Sequence, residues 1–235
     1  MRQSIAIFLT ALLLASCTDD GENNQVPDPG YAFFPAEIGT FVEYRADSIW
    51  HDQPDPTIEG IHDTTSYFIR EVIESEFEDA SGELSLRIER YKRESELSDW
   101  SLVDVWSAKR SSQNAERLEE NFRYVKMAFP ISSLATWDVN ALNVRDEWQA
   151  SYDSLNQSRT IGGLNFANSV FVDQHFFKSL IDDERAYEIY AENVGLILRY
   201  ERDFTTQIDF INNPVAENIR SGHEFMWEIV DYGKE

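Results

Sequence analysis

The feature that most constrains this chain is an alternation of apolar and polar residues with a period of two, restarted again and again from Thr40 onward. Val42, Tyr44 and Ala46 alternate with Glu43, Arg45 and Asp47; Leu84, Leu86 and Ile88 alternate with Ser85, Arg87 and Glu89. Tyr67, Ile69 and Ile73 share a face in the run between. That period belongs to strands with one face buried and one face wet. Later runs are Trp100–Ala108, Arg117–Met127, Glu147–Leu155, Ser169–Asp173, Tyr187–Tyr190, Leu196–Arg202 and His223–Tyr232. Turn formers divide them: Asp79-Ala80-Ser81-Gly82, Ile161-Gly162-Gly163, Asn193-Val194-Gly195 and Asn212-Asn213-Pro214. About ten strands with short connections predict an all-β, mostly antiparallel architecture, a sandwich or a partly open barrel. Helix is a minor component, suggested weakly at Ala115–Asn121 and around Phe176–Glu184. Six Trp, ten Tyr and fifteen Phe within a 42% hydrophobic chain supply a substantial core.

One internal similarity suggests a division. Phe34-Pro35-Ala36-Glu37-Ile38-Gly39-Thr40-Phe41 can be laid on Phe129-Pro130-Ile131-Ser132-Ser133-Leu134-Ala135-Thr136-Trp137 with one gap. Both read Phe-Pro, spacer, aliphatic, small residue, Thr, aromatic. Residues 31–128 and 129–235 are thus candidates for related halves of one domain. Proline biases the preceding Phe toward extended backbone, and such aromatics can plug the open end of a sheet.

The N-terminus has the three parts of a secretory signal. Met1-Arg2-Gln3-Ser4 carries one positive side chain, Ile5 to Ala15 is apolar except for Thr10, and Leu14-Ala15-Ser16-Cys17 matches a lipobox. The apolar run is shorter than the roughly 20 residues a spanning helix needs. Residues 1–16 are therefore expected to be cleaved and Cys17 to carry the lipid. Each buried acyl CH₂ contributes roughly 0.8 kcal/mol, so two or three chains anchor the protein durably. Cys17 is the only cysteine; once acylated it forms no disulfide. Residues 17–30, with Asp19, Asp20, Glu22, Pro27 and Pro29 and only Val26 among the aliphatics, read as a tether. The β-rich domain is expected over 31–235.

Removing residues 1–16 takes away Arg2 and no acid, leaving 43 acidic against 19 basic side chains. That balance excludes nucleic acid, whose phosphates need Lys and Arg. It also argues against a basic helix lying on anionic lipid.

The aromatic and turn residues resemble a broad group of Bacteroidota-type lipoproteins of uncharacterised function, whose domains open with F-P-L-x-x-G-x-x-W-x-Y-x-V-D-S. Phe34 to Ser48 follows that pattern, with Ala36, Phe41 and Ala46 as departures. Phe129-Pro130, Trp137 to Asn140, and Glu188 to Ile197 are similar to that group's central F-P-L, W-x-x-N and E-x-Y-A-x-x-V-G-L-[IV] segments. The resemblance implies a fold and brings no activity or catalytic residue. It also gives meaning to Thr18-Asp19-Asp20, similar to the acidic signal that sends such lipoproteins to the cell exterior. The expected location is the outer membrane, exposed at the surface, with the periplasmic face as the alternative.

The search for chemistry is mostly eliminative. His223-Glu224-Phe225-Met226-Trp227 starts like a zincin helix, but Trp227 stands where the second histidine belongs. Four scattered histidines show no ligand spacing; His51 and His62 read as residues of a polar loop, His175 as a structural histidine. No G-x-S-x-G is present, and Gly162-Gly163 lacks the lysine of a phosphate loop. No metal or cofactor is expected. A carboxylate pair suited to glycoside hydrolysis cannot be picked from 43 acids; most alternate with apolar residues and read as outward-facing. Of the tryptophans, Trp50 and Trp100 lie nearest polar loop sequence and are the candidate ligand-stacking residues, the other four being assigned to the core. The expected function is a non-enzymatic binding module for a glycan, peptide or partner protein. An envelope assembly factor without a small ligand is the alternative, and an acid-pair hydrolase a more distant one.

Overall fold

The computed structural model describes residues 28–53, 60–209 and 213–235, with the side chains of 208–209 and 213–218 excepted. Cys17, the signal segment and most of the tether lie outside the described residues.

Twelve strands form one antiparallel sheet: β1 (Thr40–Asp52), β2 (Ile61–Glu78), β3 (Leu84–Arg93), β4 (Ser101–Arg110), β5 (Asn114–Glu119), β6 (Phe122–Ala128), β7 (Thr136–Asp138), β8 (Gln149–Ile161), β9 (Leu164–Lys178), β10 (Asp182–Ala191), β11 (Gly195–Asp209) and β12 (Asn213–Lys234). Their order is β6-β5-β4-β3-β2-β1-β12-β11-β10-β9-β8-β7. Consecutive strands pair except β6 and β7, and β1 also pairs β12 from Thr40↔Lys234 to Asp52↔Ser221. The chain's first and last strands thus lie in mid-sheet, and the two free edges, β6 and β7, come from its middle. These edges approach one another. Val125 N–H donates to Val139 O at 2.9 Å, and Trp137 Nε1–H donates to Val125 O at 3.0 Å. The result is a nearly closed up-and-down barrel, which leaves little unpaired edge for aggregation.

The all-β expectation holds, with more strands than expected. The run Arg117–Met127 is a hairpin, not one strand. It turns at Glu120 and Asn121, whose φ values of 47° and 67° put both in the left-handed region. The three-residue β7 is too short to show a period. Helix among the described residues is one 3₁₀ turn, Tyr31–Phe33. The two suggested helical segments are extended instead: Ala115–Glu119 lies in β5, and Phe176–Glu184 spans the end of β9 and start of β10. Sheet pairing overrode weak local preference there.

The Phe-Pro segments close the end of the barrel where β1 begins. Phe33, Phe34 and Phe129 are buried in the core, and Tyr31 meets Phe129 edge-to-face at 4.9 Å. Backbone and side-chain hydrogen bonds stitch this plug to the turns around it. Asn193 N–H donates to Ala32 O at 2.7 Å, Phe129 N–H to Gln113 O at 2.7 Å, and Arg110 Nη1 to Phe34 O at 2.7 Å. Gly195, at φ 95°, lets the β10–β11 turn approach Pro35; a Cβ there would sit 3.2 Å from Pro35 Cδ. Beneath the plug lies an apolar layer including Val42, Leu86, Ile88, Ala108, Ala115, Met127, Val170, Val172 and Ile197, all buried.

Candidate functional site: a charged cavity inside the barrel

Beyond the apolar layer the interior changes character. In β5 the buried residues are Ala115, Arg117 and Glu119, while Leu118 is only half-buried. The strand period thus turns two charged side chains into the barrel. Opposite them on β6, Lys126 sits at a register shift, where Ala115↔Met127 is followed by Glu116↔Val125. This bulge re-aims the lysine inward. β2 and β3 place Glu71 and Arg90 as direct partners, and β10 and β11 place Glu188 and Arg199 as direct partners.

These residues form one continuous network. Glu71 accepts from Arg90 Nε at 3.1 Å and from Arg117 Nη2 at 2.8 Å. Glu119 is paired with Lys126 Nζ at 3.0 Å and with Arg199 Nη1 at 2.9 Å. Glu188 takes Lys126 Nζ at 2.9 Å, Gln174 Nε2 at 2.8 Å and the Tyr190 hydroxyl at 2.6 Å. Burial opposes ionisation of Glu119, yet Lys126, Arg199 and Arg117 outweigh it and hold its carboxyl well below the usual range. Glu188 is likewise opposed by burial and held low by Lys126 and Arg199. Tyr44 and Tyr190 are pushed up by burial first, then by Glu71 and Glu188 respectively, so both stay neutral donors. The Tyr44 hydroxyl donates to Leu196 O at 3.0 Å.

The network floors a cavity of about 660 Å³ that opens at the end opposite the plug. Arg90, Glu119, Lys126 and Arg199 face it from below, with Trp106, Trp227 and Phe225 along the wall. Arg90 lies 3.6 Å over the Trp106 ring, and Trp106 stands nearly parallel to Trp227 at 6.4 Å. Around the mouth the 139–148 segment contributes Asn140, Arg145, Asp146 and Trp148, the last stacked on His175 at 4.5 Å. On the wall, Trp227 Nε1 is buried with no acceptor among the described residues.

The tryptophans singled out from sequence are elsewhere. Trp50 is 56% exposed, yet it belongs to β1 rather than to a loop, and it stands 6.4 Å from the His223 ring. Trp100 is half-buried under Arg93 at 4.3 Å and lines a separate groove with Tyr91, Arg70 and Glu235. Neither lines the interior cavity, and the structure does not bring them together there. His51 and His62 are strand residues, not loop residues. They are paired across β1 and β2, with their Nδ1 atoms at 2.7 Å. His175 is held by Glu184 at 2.8 Å. Among the described residues no cluster of His, Cys, Asp and Glu has the arrangement of a metal site. On the outer face Phe171, Tyr187 and Tyr200 stack at 4.9 and 5.0 Å, ordinary cross-strand pairs of a wet sheet surface.

Sequence reasoning missed the cavity because the signal was ambiguous. Arg117, Glu119, Lys126 and Glu188 sit in alternating strands like the other charged residues. Only the facing of each strand distinguishes them.

The fold and interior define a plugged up-and-down β-barrel with a charged, aromatic-walled cavity. No family model and no curated protein matches the chain. Among solved structures it is similar to a Bacteroides fragilis protein inferred to be exported and described as having a YmcC-like fold, at 12% identity and a TM-score of 0.34, covering 86% of this chain and 99% of that one.

Proposed function

We propose that this protein is a lipid-anchored, non-enzymatic binding module of the cell envelope, and that its ligand sits in the barrel interior. The observation that carries the reading is the cavity of about 660 Å³, floored by a buried charge network and walled by Trp106, Phe225 and Trp227. Cavities of a few hundred cubic ångströms with a few fixed polar groups are the usual form of a small-molecule seat. The network is built on strands rather than loops, so it is pre-organised and loses little entropy on binding. The lipid on Cys17 and the acidic pair Asp19-Asp20 would hold this seat at the outer surface.

A hydrolase is the weaker reading for a chemical reason. Glu119 and Glu188 both touch Lys126 Nζ, at 3.0 and 2.9 Å. Their oxygens therefore lie no more than about 6 Å apart, a separation that suits a retaining glycosidase. Such a mechanism needs one of the pair protonated as general acid. Here Lys126 and Arg199 hold both below their ordinary values against the opposing effect of burial, which disfavours that role.

One observation favours a protein partner instead. Phe176, Phe177, Leu180 and Ile181 around the β9–β10 connection are all exposed, Leu180 by 77%. Exposed apolar side chains gathered at one connection suit a protein contact.

The test is native mass spectrometry of the intact lipoprotein purified from the membranes of the cells that make it. The expected result is a co-purifying small molecule that is lost when Phe225→Arg obstructs the cavity. A stoichiometric protein in its place, with no bound small molecule, would transfer the function to the apolar cluster. Metabolic labelling with a fatty-acid analogue checks the anchor: Cys17→Ser should lose the label, and retention of it would refute lipidation there. Protease added to intact cells checks the location, since a periplasmic domain would resist until the outer membrane is opened.

A further inference from the structure

We propose that the cavity is the inner end of a longer binding path, and that its ligand is a neutral oligosaccharide laid along the inner face of β12 from Trp50 to the cavity. This rests on the reading of the cavity as a ligand seat and names the chemical class and the reach of what it holds.

The first observation is a row of rings set by the strand period. Residues two apart on a strand share a face, so His223, Phe225 and Trp227 of β12 point the same way, and the last two line the cavity. Trp50 of β1 is the direct partner of His223, and Ser48 that of Phe225. Tyr44 and Ala46, at the same phase of β1 as Trp50, are core residues, so this is the inner face. The rings follow one another inward: Trp50 to His223 at 6.4 Å, His223 to Phe225 at 6.3 Å, Phe225 to Trp227 at 5.3 Å. Ser48 Oγ lies 2.8 Å from His223 Nε2 and fixes the middle ring. Trp227 is buried and serves as backing, so the rings open to a ligand are Trp50, His223 and Phe225. An exposed indole by itself means little. Here it continues a row of rings that ends in a cavity.

The second observation is the charge balance of the cavity lining. Its cations are Arg90, Lys126, Arg145 and Arg199, and its carboxylates are Glu119, Glu120, Asp146 and Glu201, four of each. The floor groups are already engaged. Lys126 meets Glu119 at 3.0 Å, Arg199 meets Glu119 at 2.9 Å and Glu201 at 3.6 Å, and Arg90 meets Glu71 at 3.1 Å. No net charge remains for an ionic ligand to neutralise, and an ion that broke one of these pairs would strand a buried charge. A neutral ligand adds hydrogen bonds to groups that stay paired. Carboxylates only accept, while Arg and Lys only donate. A lining of both kinds suits hydroxyls, which do both. Aromatic rings beside it suit the apolar face of a sugar ring. Each unit of a sugar chain carries such a face and an edge of hydroxyls, so a chain meets the row of rings and the charged floor together.

The experiment titrates the intact lipoprotein calorimetrically, in a detergent without a sugar head group. The probes are neutral hexasaccharides of glucose, mannose, galactose, xylose and N-acetylglucosamine, each with the disaccharide of the same linkage. An oligogalacturonate serves as the anionic chain and a chitosan oligomer as the cationic one. At least one neutral hexasaccharide should bind about fivefold more tightly than its own disaccharide. It should also bind at least about tenfold more tightly than either charged chain. Trp50→Ala should bring that hexasaccharide down about fivefold, to the affinity of the disaccharide, and leave the disaccharide unchanged. Phe225→Arg should weaken both. Circular dichroism accompanies each variant; if Phe225→Arg does not fold, the chain-length comparison and Trp50→Ala still decide. An unchanged hexasaccharide affinity in Trp50→Ala would overturn the path beyond the cavity. Preference for a charged chain would overturn the neutral ligand. If no neutral saccharide binds the folded wild-type protein, the oligosaccharide is overturned. The cavity then stands by the mass-spectrometric result: a co-purifying small molecule lost in Phe225→Arg keeps it as a ligand seat, and the absence of one removes both.

Discussion

The two ends of the barrel interior are built from the same alternating strands and reach opposite solutions. At the plugged end, Phe33, Phe34, Phe129 and the apolar layer leave a residual void of only about 70 Å³. At the other end, residues one or two positions further along the same strands leave about 660 Å³. On β3 the change falls between Ile88 and Arg90, on β5 between Ala115 and Arg117, on β10 between Tyr190 and Glu188. An apolar end stabilises by area removed from water and by close packing. A charged interior of equal volume gives less, because desolvating seven ionised side chains offsets most of their mutual attraction. Retaining it at the open end, where a void remains, is what a binding seat needs and a structural core does not. The plug is where the stability resides; the open end is where stability has been exchanged for a rigid polar surface.

Four measurements would break or sharpen that contrast. The largest effect is expected from Lys126→Met, which strands Glu119 and Glu188 with one fewer cation. It should cost about 3–5 kcal/mol by urea denaturation at neutral pH. A loss below 1 kcal/mol would mean that water already reaches the network freely. Phe129→Ala tests the other end and should cost about 3 kcal/mol through lost burial and a new void. Its penalty should not depend on salt or on pH between 7 and 4, because the contact it loses is with the Tyr31 ring rather than with a carboxylate or a histidine.

The third measurement is acid sensitivity. Glu119 and Glu188 have folded values below their unfolded ones. Their contribution is therefore fully present above the unfolded carboxyl value of about 4.3 and is lost progressively as pH falls below it. The urea midpoint of the wild type should fall steeply below that pH. Glu119→Gln should have a lower midpoint at pH 7 and a shallower fall. An unchanged slope in that variant would show that Glu119 does not drive the acid response. The smallest effect belongs to Trp227→Phe in the unliganded protein. It removes a donor without a partner and a little packed volume, and these nearly cancel, so stability should change by less than about 1 kcal/mol. A loss above 2 kcal/mol would reveal a hydrogen bond at Nε1.

Much of the fold was readable from local pattern. The period of two in β1 and β3, the glycine turns at Gly162-Gly163 and Asn193-Val194-Gly195, and the plugging role of the Phe-Pro segments follow from steric and solvation rules that act over a few residues. Gly162 shows the limit even there. Its φ of 58° is a turn property, but the backbone oxygen of Ile229 would lie 1.7 Å from any Cβ added to it, a contact known only from the folded chain. The hairpin at Glu120-Asn121 was hidden because neither residue is glycine, although asparagine tolerates the left-handed region better than most.

The candidate site was not readable, for one physical reason. Alternation says that two faces differ but not which face is inside when both carry charge. In Asn114-Ala115-Glu116-Arg117-Leu118-Glu119, sequence alone favours Leu118 as the inward residue, yet closure of the barrel turns Ala115, Arg117 and Glu119 inward. What makes that arrangement tolerable is a set of partners at distant positions. Arg117 needs Glu71, Lys126 needs Glu188, and Arg199 needs Glu119, across sequence separations of 46, 62 and 80 residues. The sequence by itself determined strands, turns and an aromatic plug, because those depend on near neighbours. Only the tertiary structure decided which charges are buried, because the cost of burying a charge depends on whether its counter-charge arrives at the same place.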